Sequence, residues 1–380
     1  MEPFTSQYFG FGAAASTSVA DAMVILATPR ALSAATVQSV AEAGAAALTQ
    51  VARAQLQHFP DQGARQPAAA GVPLPVVTPD IADLPFTMDN SVKVFHLIAE
   101  PVKQVILPGR TFDLWGFNGS APGPTIQAKE GDRIRIVFDN HLPEPTGIHW
   151  HGLELPIEMD GVPGIGMKPV MPGGRFVYEF SLHQNGTFFY HSHMAMQEMV
   201  GMLGGFVIHP RMAYSPRVDK EYLFALQEYA VLPNSTIPNS VSMEFNWLTF
   251  NGKAGPASTP LIIKHGERVR IRIINLGMDH HPIHLHGFTF WETGWEGARQ
   301  PEAIWPRGNT TLVGVAQARD IEFAADRVGG LDVPLPSSAS HDEPDGLQCR
   351  AHDADRPRHA ARRKHGRSHG NAAGWSRNSR

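Results

Sequence analysis

Residues 129–152, KEGDRIRIVFDNHLPEPTGIHWHG, align without a gap on residues 264–287, KHGERVRIRIINLGMDHHPIHLHG, at an offset of 135. Whatever unit one copy builds, the chain must build twice. Each copy follows an Asn-Gly turn, Asn118-Gly119 or Asn251-Gly252. Each then holds a Lys-x-Gly-acid turn and an alternating run, with Arg133 and Arg135, or Arg268 and Arg270, facing outward and aliphatic residues facing inward. Short runs of this kind between Gly, Pro and Asn turns suggest two antiparallel β-sandwiches. The expected class is all-β, with domains over residues 83–212 and 213–330. Duplication for stability alone is a poor explanation, because the matched positions include His149/His284 and His151/His286, which a core does not need.

With 380 residues and 42% apolar content the chain can bury a sizeable core. Its net charge of −4 gives no reason to expect nucleic acid as a partner, and no apolar run approaches the roughly 20 residues of a membrane span. The single cysteine, Cys349, excludes an internal disulfide and a cysteine-based zinc site. Residues 1–82 read as a separate segment, Ala-rich with a loosely helical pattern over 31–58 and ending in a Pro/Ala-rich linker. The first basic residue is Arg30 and the run AMVILA is short, so there is no clear signal peptide.

Histidine is the unusual residue, with 19 copies, several in HxH pairs. Residues two apart on a strand project from one face, so His149 and His151 can share a site, as can His191 and His193 in FFYHSHMAMQEMVGM. Ligation by imidazole alone suits Cu, Zn, Fe or Ni, and spacing does not choose among them. In the second copy His284 and His286 repeat the pair, whereas His281, three residues before His284, faces the other way and belongs to a second metal site. Met194, Met196, Met199 and Met202 are expected to pack rather than to bind metal.

HWHG, HSH and HPIHLHG resemble, in order and spacing, the motifs of the multicopper oxidases, and two cupredoxin-like Greek-key repeats resemble the two-domain, laccase-like branch. The resemblance covers roughly residues 84–327. It implies copper as cofactor, with His149 and His284 on type 2 copper, His151, His191, His193 and His286 on the type 3 pair, and His281 on type 1 copper. It implies a copper-dependent oxidoreductase that couples one-electron oxidation of phenolic or metal-ion reductants to reduction of O2 to water. Asp160 resembles the family's proton-relay carboxylate, although an Asp-Gly turn explains it equally well. The resemblance also implies a homotrimer with the cluster shared between the first domain of one subunit and the second of its neighbour, in a periplasmic or secreted setting. The alternatives are a non-catalytic copper-binding protein and a relative of copper nitrite reductase, whose blue copper lies in the first domain. Ser192 stands where that site would need cysteine.

The family's closing H-C-H motif is missing. Glu179-Phe180 pairs with Glu322-Phe323 at an offset of 143, which maps His191-Ser192-His193 onto Pro334-Leu335-Pro336. Synonymous codons exist for Leu331–Gly346 that, read one base later, encode WMFHCHLPHHTMNQM, with H-C-H beginning at codon 334. The expectation is a one-nucleotide indel near 327–330, an incomplete second domain with no type 1 cysteine, and an aberrant, irregular, disordered tail over 331–380 in which Cys349 and the histidines are accidental. Lost closing strands would leave a sheet edge uncovered and the protein poorly stable.

Overall fold

The two Asn-Gly dipeptides take left-handed backbone at both residues, with φ of 49° and 80° at Asn118-Gly119 and 52° and 73° at Asn251-Gly252. Two positive angles in succession reverse the chain tightly, at least cost for these two residue types. The duplication continues through the side chains. The Lys129 amide donates to Asp132 and the Lys264 amide to Glu267, both at 2.7 Å. Arg133 and Arg135 donate from Nε to Glu179, and Arg268 and Arg270 donate from Nε to Glu322. Glu179 and Glu322 are therefore equivalent positions.

The computed structural model describes residues 72–327 and the backbone of 329–334 and 346–352, all within the unit Ala68–Arg380. The expected helix over 31–58 lies outside the described residues. The first sandwich is built from β1 (Phe86–Asp89), β2 (Val92–Leu107), β3 (Arg110–Phe117), β4 (Gly123–Lys129), β5 (Arg133–Asn140), β6 (Ile148–His151), β7 (Arg175–Ser181), β8 (Gly186–Ser192) and β9 (Leu203–His209). One sheet runs β1-β2-β5-β7 with β3 on β2, and the other runs β4-β9-β8-β6. The second sandwich comprises β10 (Lys220–Tyr229), β11 (Trp247–Phe250), β12 (Leu261–Lys264), β13 (Arg268–Asn275), β14 (His281–His284), β15 (Phe290–Trp295), β16 (Ala298–Arg299), β17 (Arg307–Gly308), β18 (Thr310–Val313) and β19 (Gln317–Ala324), followed by β20 (Gly329–Pro334) and β21 (Gly346–His352). Both domains are cupredoxin-like and all-β, but the sheets are mixed rather than antiparallel. β2 pairs β5 in parallel and β4 pairs β9 in parallel, and β10/β13 and β12/β21 repeat this. The parallel pairs join strands distant in sequence, which local alternation does not reveal.

In the C-terminal region the backbone of β20 and β21 continues the second sandwich. β21 covers the edge of β12 with Leu261 opposite Cys349, as β9 covers β4 with Ile126 opposite Phe206. Gly329 lies opposite Ala351 and Pro334 opposite Gly346, as Gly186 lies opposite Ile208 and His191 opposite Leu203. The offset of 143 thus holds in backbone register through both strands, and Pro334 occupies the place of His191. The remainder of the expected tail, including Leu335 and Pro336, lies outside the described residues.

The two cores differ in kind. In the first, Trp150 is fully buried against Tyr178, Tyr190 and Phe206. In the second, Leu285 and Ile321 take the places of Trp150 and Tyr178, beside a small apolar void also lined by Phe224, Phe250, Ile271, Ile273 and Ile283.

The sandwiches meet along an apolar seam in which Phe189, Leu203 and Val207 pack on Leu223, Ala225, Ile274 and Ala318. Next to it lies a charged network that overturns the outward placement of Arg270, which is only 1% exposed, as is Arg272. Arg270 bridges Glu221 and Glu322. Arg272 bridges Glu221 and Asp320 and donates to the Thr187 hydroxyl, which itself donates to Asp320 at 2.6 Å. The outer face of β13 is thus covered, on one side by the first domain. Burial raises the Glu322 carboxyl, but Arg270 and Arg299 outweigh it and hold it near 2. Burial, with Arg272 adding, lowers His209 to about 4.

Both shifts act in one direction. The unfolded chain takes up protons at His209 below about pH 6.5 and at Glu322 below about 4.5, where the folded chain does not, so stability falls on acidification. We expect thermal midpoints to drop between about pH 6.5 and 4, and further as the pH falls from about 4.5 toward 2. Glu221→Ala, which leaves two buried guanidiniums short of a partner, should cost about 3–5 kcal/mol in denaturant unfolding.

Candidate metal centre

Four histidines of the first domain come together at the end of the β4-β9-β8-β6 sheet. His149 and His151 project from β6, which pairs antiparallel with β8 so that His149 lies opposite His191. His193 follows β8, where its amide donates to the Gly147 carbonyl at 2.9 Å. The ring of His149 lies 5.6, 5.4 and 5.4 Å from those of His151, His191 and His193. The metal-binding atoms of His149, His151 and His191 all fall within 4.8 Å of one another.

Three of the four rings are held by the protein itself. His149 donates from Nδ1 to the Asp160 carbonyl at 2.8 Å, which leaves Nε2 as the lone-pair nitrogen. That contact needs Gly161, where φ is +83° and a Cβ would stand 1.7 Å from the Ile148 carbonyl oxygen. Asp160 therefore acts on His149 through its backbone, while its carboxylate lies 3.5 Å from His149 Nδ1. His191 donates from Nδ1 to the Ser192 carbonyl at 2.7 Å, so its Nε2 accepts from His151 Nδ1 at 3.3 Å. His151 stacks on Phe189, with ring centroids 4.3 Å apart.

Burial, with His149 and His193 adding, lowers His151 to about 4. Burial lowers His191 to about 3, against the Ser192 carbonyl, with the neighbouring histidines adding. Both imidazoles are neutral near pH 7, the form that binds metal. Convergent, neutral, oriented imidazoles fit copper.

The second domain presents a smaller set. His284 and His286 lie 4.9 Å apart between ring centroids, His284 half-buried and His286 exposed. His284 donates from Nδ1 to the Asn309 carbonyl at 2.7 Å, as His149 does to Asp160. Among the described residues, neither His284 nor His286 belongs to a group of three metal-binding side chains. His281 faces the other way from His284 and is buried, its Nε2 2.9 Å from Glu228 Oε2. Of the methionines after HSH, Met199 and Met202 are buried, whereas Met196 is 42% exposed and not packed.

Glu228 is a residue that sequence reasoning missed. It is fully buried, and besides His281 it accepts from the Met278 and Asp279 amides. A Cβ at Gly277 would stand 1.9 Å from its carboxylate. The available signal was the polar pair Gln227-Glu228 inside the otherwise apolar strand LFALQEYAVL.

Two segments match the family described as multicopper oxidase, residues 101–213 and 231–330, together more than half of the chain. The chain belongs to the multicopper oxidase family, a family of copper-dependent oxidoreductases, and has two cupredoxin-like domains. It is 42% identical over 125 residues to copper resistance protein A of Pseudomonas syringae pv. tomato, covering 33% of this chain and 20% of that protein. It is 32% identical over 227 residues to laccase-3 of Botryotinia fuckeliana, covering 55% of this chain and 49% of the laccase. The chain thus spans between a fifth and a half of the length of these two curated relatives. Among solved structures, the blue copper oxidase from Nitrosomonas europaea superimposes with a TM-score of 0.62 at 27% identity, covering 68% of this chain and 85% of that one.

Replacing Gly161 by alanine should displace the Asp160 carbonyl and weaken copper binding at the first-domain histidines by about 10–100-fold. Competition titration against a copper chelator measures this, and Gly164→Ala, at a position with open space around it, serves as the control.

Proposed function

We propose that this chain derives from a two-domain, laccase-like multicopper oxidase that oxidises phenolic compounds or cuprous ion one electron at a time and reduces O2 with four electrons and four protons to two waters. The observation that carries this reading is the convergence of His149, His151, His191 and His193, with a matching His284/His286 pair on the other domain. In this reading copper bound at these histidines supplies the one-electron redox chemistry. His149 and His284 hold type 2 copper from Nε2, each fixed by a backbone carbonyl. His151, His191, His193 and His286 hold the type 3 pair. Asp160, half-buried beside His149, is the group placed to hand protons to the site. His281, which faces the other way from His284, would be a ligand of type 1 copper, with Glu228 fixing its ring.

The half-buried His284 and exposed His286, with no third ligand beside them among the described residues, support a cluster completed by a second copy, in a homotrimer. The loop that carries Asp160 also exposes Ile157 and Ile165, apolar surface next to the half-site on which another copy would seat. A periplasmic or secreted location accords with copper handling. No helix among the described residues is long and apolar enough to cross a membrane.

The chain is expected to be impaired, because Pro334 stands in the register position of His191 and the next residue is Leu335 where the family has cysteine. The shifted reading restores H-C-H there. It also puts tryptophan and phenylalanine at codons 331 and 333, the counterparts of buried Phe188 and Tyr190. Those aromatics would join a core that now has a void beside Leu285. A second reading, copper binding without turnover, is favoured by the intact first-domain histidines and by the similarity to a protein named for copper resistance. Ser192 argues against a nitrite reductase.

DNA read across codons 320–350 tests the frame, and codons that forbid the shifted string would sink that part of the proposal. The 380-residue protein should bind copper yet show no blue thiolate-to-copper band and little O2 uptake with a phenol or cuprous ion. A blue, active preparation would overturn the impairment. A frame-restored chain that binds copper and turns over neither reductant would overturn the oxidase reading in favour of sequestration.

A further inference from the structure

The methionines after HSH do not share one environment. Met199 and Met202 are buried, whereas Met196 is 42% exposed. Met196 also has a φ of 66°, in the left-handed region. The Gln197 amide donates to the Met194 carbonyl at 3.2 Å, so Met194–Gln197 is a β-turn with Met196 at its third position. Glycine or asparagine takes that position with less strain. A methionine here meets a backbone penalty and gains little burial in return, and strained residues of this kind gather at functional sites.

The strain is held by a buried pair that flanks the turn. Ser192 and Gln197 are 1% and 3% exposed. Ser192 Oγ donates to Gln197 Oε1 at 2.7 Å and accepts from the Met194 amide at 3.1 Å. Gln197 Nε2 donates to the Pro145 carbonyl at 3.1 Å. Between these anchors Met194 is half-buried and Ala195 and Met196 are exposed.

The turn begins at the residue after His193, the one exposed member of the four-histidine cluster. Among the described residues the His193 ring has no hydrogen-bond partner. It stacks on His191 with centroids 6.1 Å apart and lies 5.4 Å from His149. His193 is thus the ring that a metal ion from solvent meets first, and the two side chains presented next to it carry thioether sulfur, a soft ligand that selects Cu(I).

We propose that the turn Met194–Gln197 is a receiving site for cuprous ion, in which the Met194 and Met196 thioethers take Cu(I) from solution and pass it to His193. The inference rests on the reading of the first-domain histidines as a copper site. The step exchanges thioether for imidazole and moves no electron, so it needs no oxidant or reductant. A strained turn suits it, because the sulfur stays at the surface and cannot fold back into the core.

The test is anaerobic stopped-flow transfer of Cu(I) from its bicinchoninate complex to the full chain. Met196→Leu, which keeps the bulk and removes the sulfur, should slow transfer by about 10-fold, and Met194→Leu/Met196→Leu should slow it further. Met196→Gly should slow transfer as much while leaving the fold at least as stable in thermal unfolding. Met171→Leu, at a methionine 56% exposed on another loop, should transfer at the parent rate. Parent-rate transfer in both Met196 variants, equal slowing in Met171→Leu, or a loss of stability in Met196→Gly that shows Met196 to be a packing residue overturns the proposal. Ag(I), soft and without redox chemistry here, should shift the methyl NMR signals of Met194 and Met196, and unshifted signals overturn it too. Ag(I) reads the thioethers alone, so their failure is distinct from failure of the histidine reading, which Cu(II) titration decides.

Discussion

His149 lies opposite His191 across the antiparallel pair of β6 and β8, and the first-domain site follows from that one register. A slip by one residue would turn each HxH pair to the other face of the sheet and dismantle the site at once. What prevents the slip is largely backbone. The Asp160 carbonyl reaches His149 past Gly161, the Gly147 carbonyl takes the His193 amide, and the Ile148 amide donates to the Tyr178 hydroxyl at 3.0 Å. The imidazoles of His149, His151 and His191 are held in place by the protein itself, so little ordering cost falls on metal binding.

The same logic explains why the two domains, though duplicated, carry different burdens. In the first, an aromatic core around Trp150 backs the strand with the histidines. In the second, the equivalent core is aliphatic and has a void, and the closing strands are built from residues with no histidine at the position of His191. Backbone pairing persists where side-chain chemistry does not, because a strand needs only its amides and carbonyls to extend a sheet.

Much of this was legible in the chain itself. The Asn-Gly turns, the alternating runs after each Lys-x-Gly-acid turn, and the strand-borne HxH pairs are local patterns, and local patterns survive in sequence. The parallel pairing of β2 with β5 was hidden because it joins distant segments. Burial of Arg270 was hidden for another reason: alternation tells which residues share a face, and only the seam with the first domain tells what covers that face. Glu228 left only a faint trace, since a buried polar residue looks in sequence like any other polar residue until its partners are known.

The charged seam between the sandwiches also bears on symmetry. Thr187, Asp320 and Arg272 tie the first domain to the second within one chain, so the first-domain cluster and the His284/His286 pair are two different surfaces held at a fixed rotation. A contact that joins such unlike surfaces between copies is heterologous, and it either closes into a ring or runs on as a filament. The rotation set at the seam decides which. In the proposed assembly, an alteration there, far from any histidine, would change how many copies could close a ring.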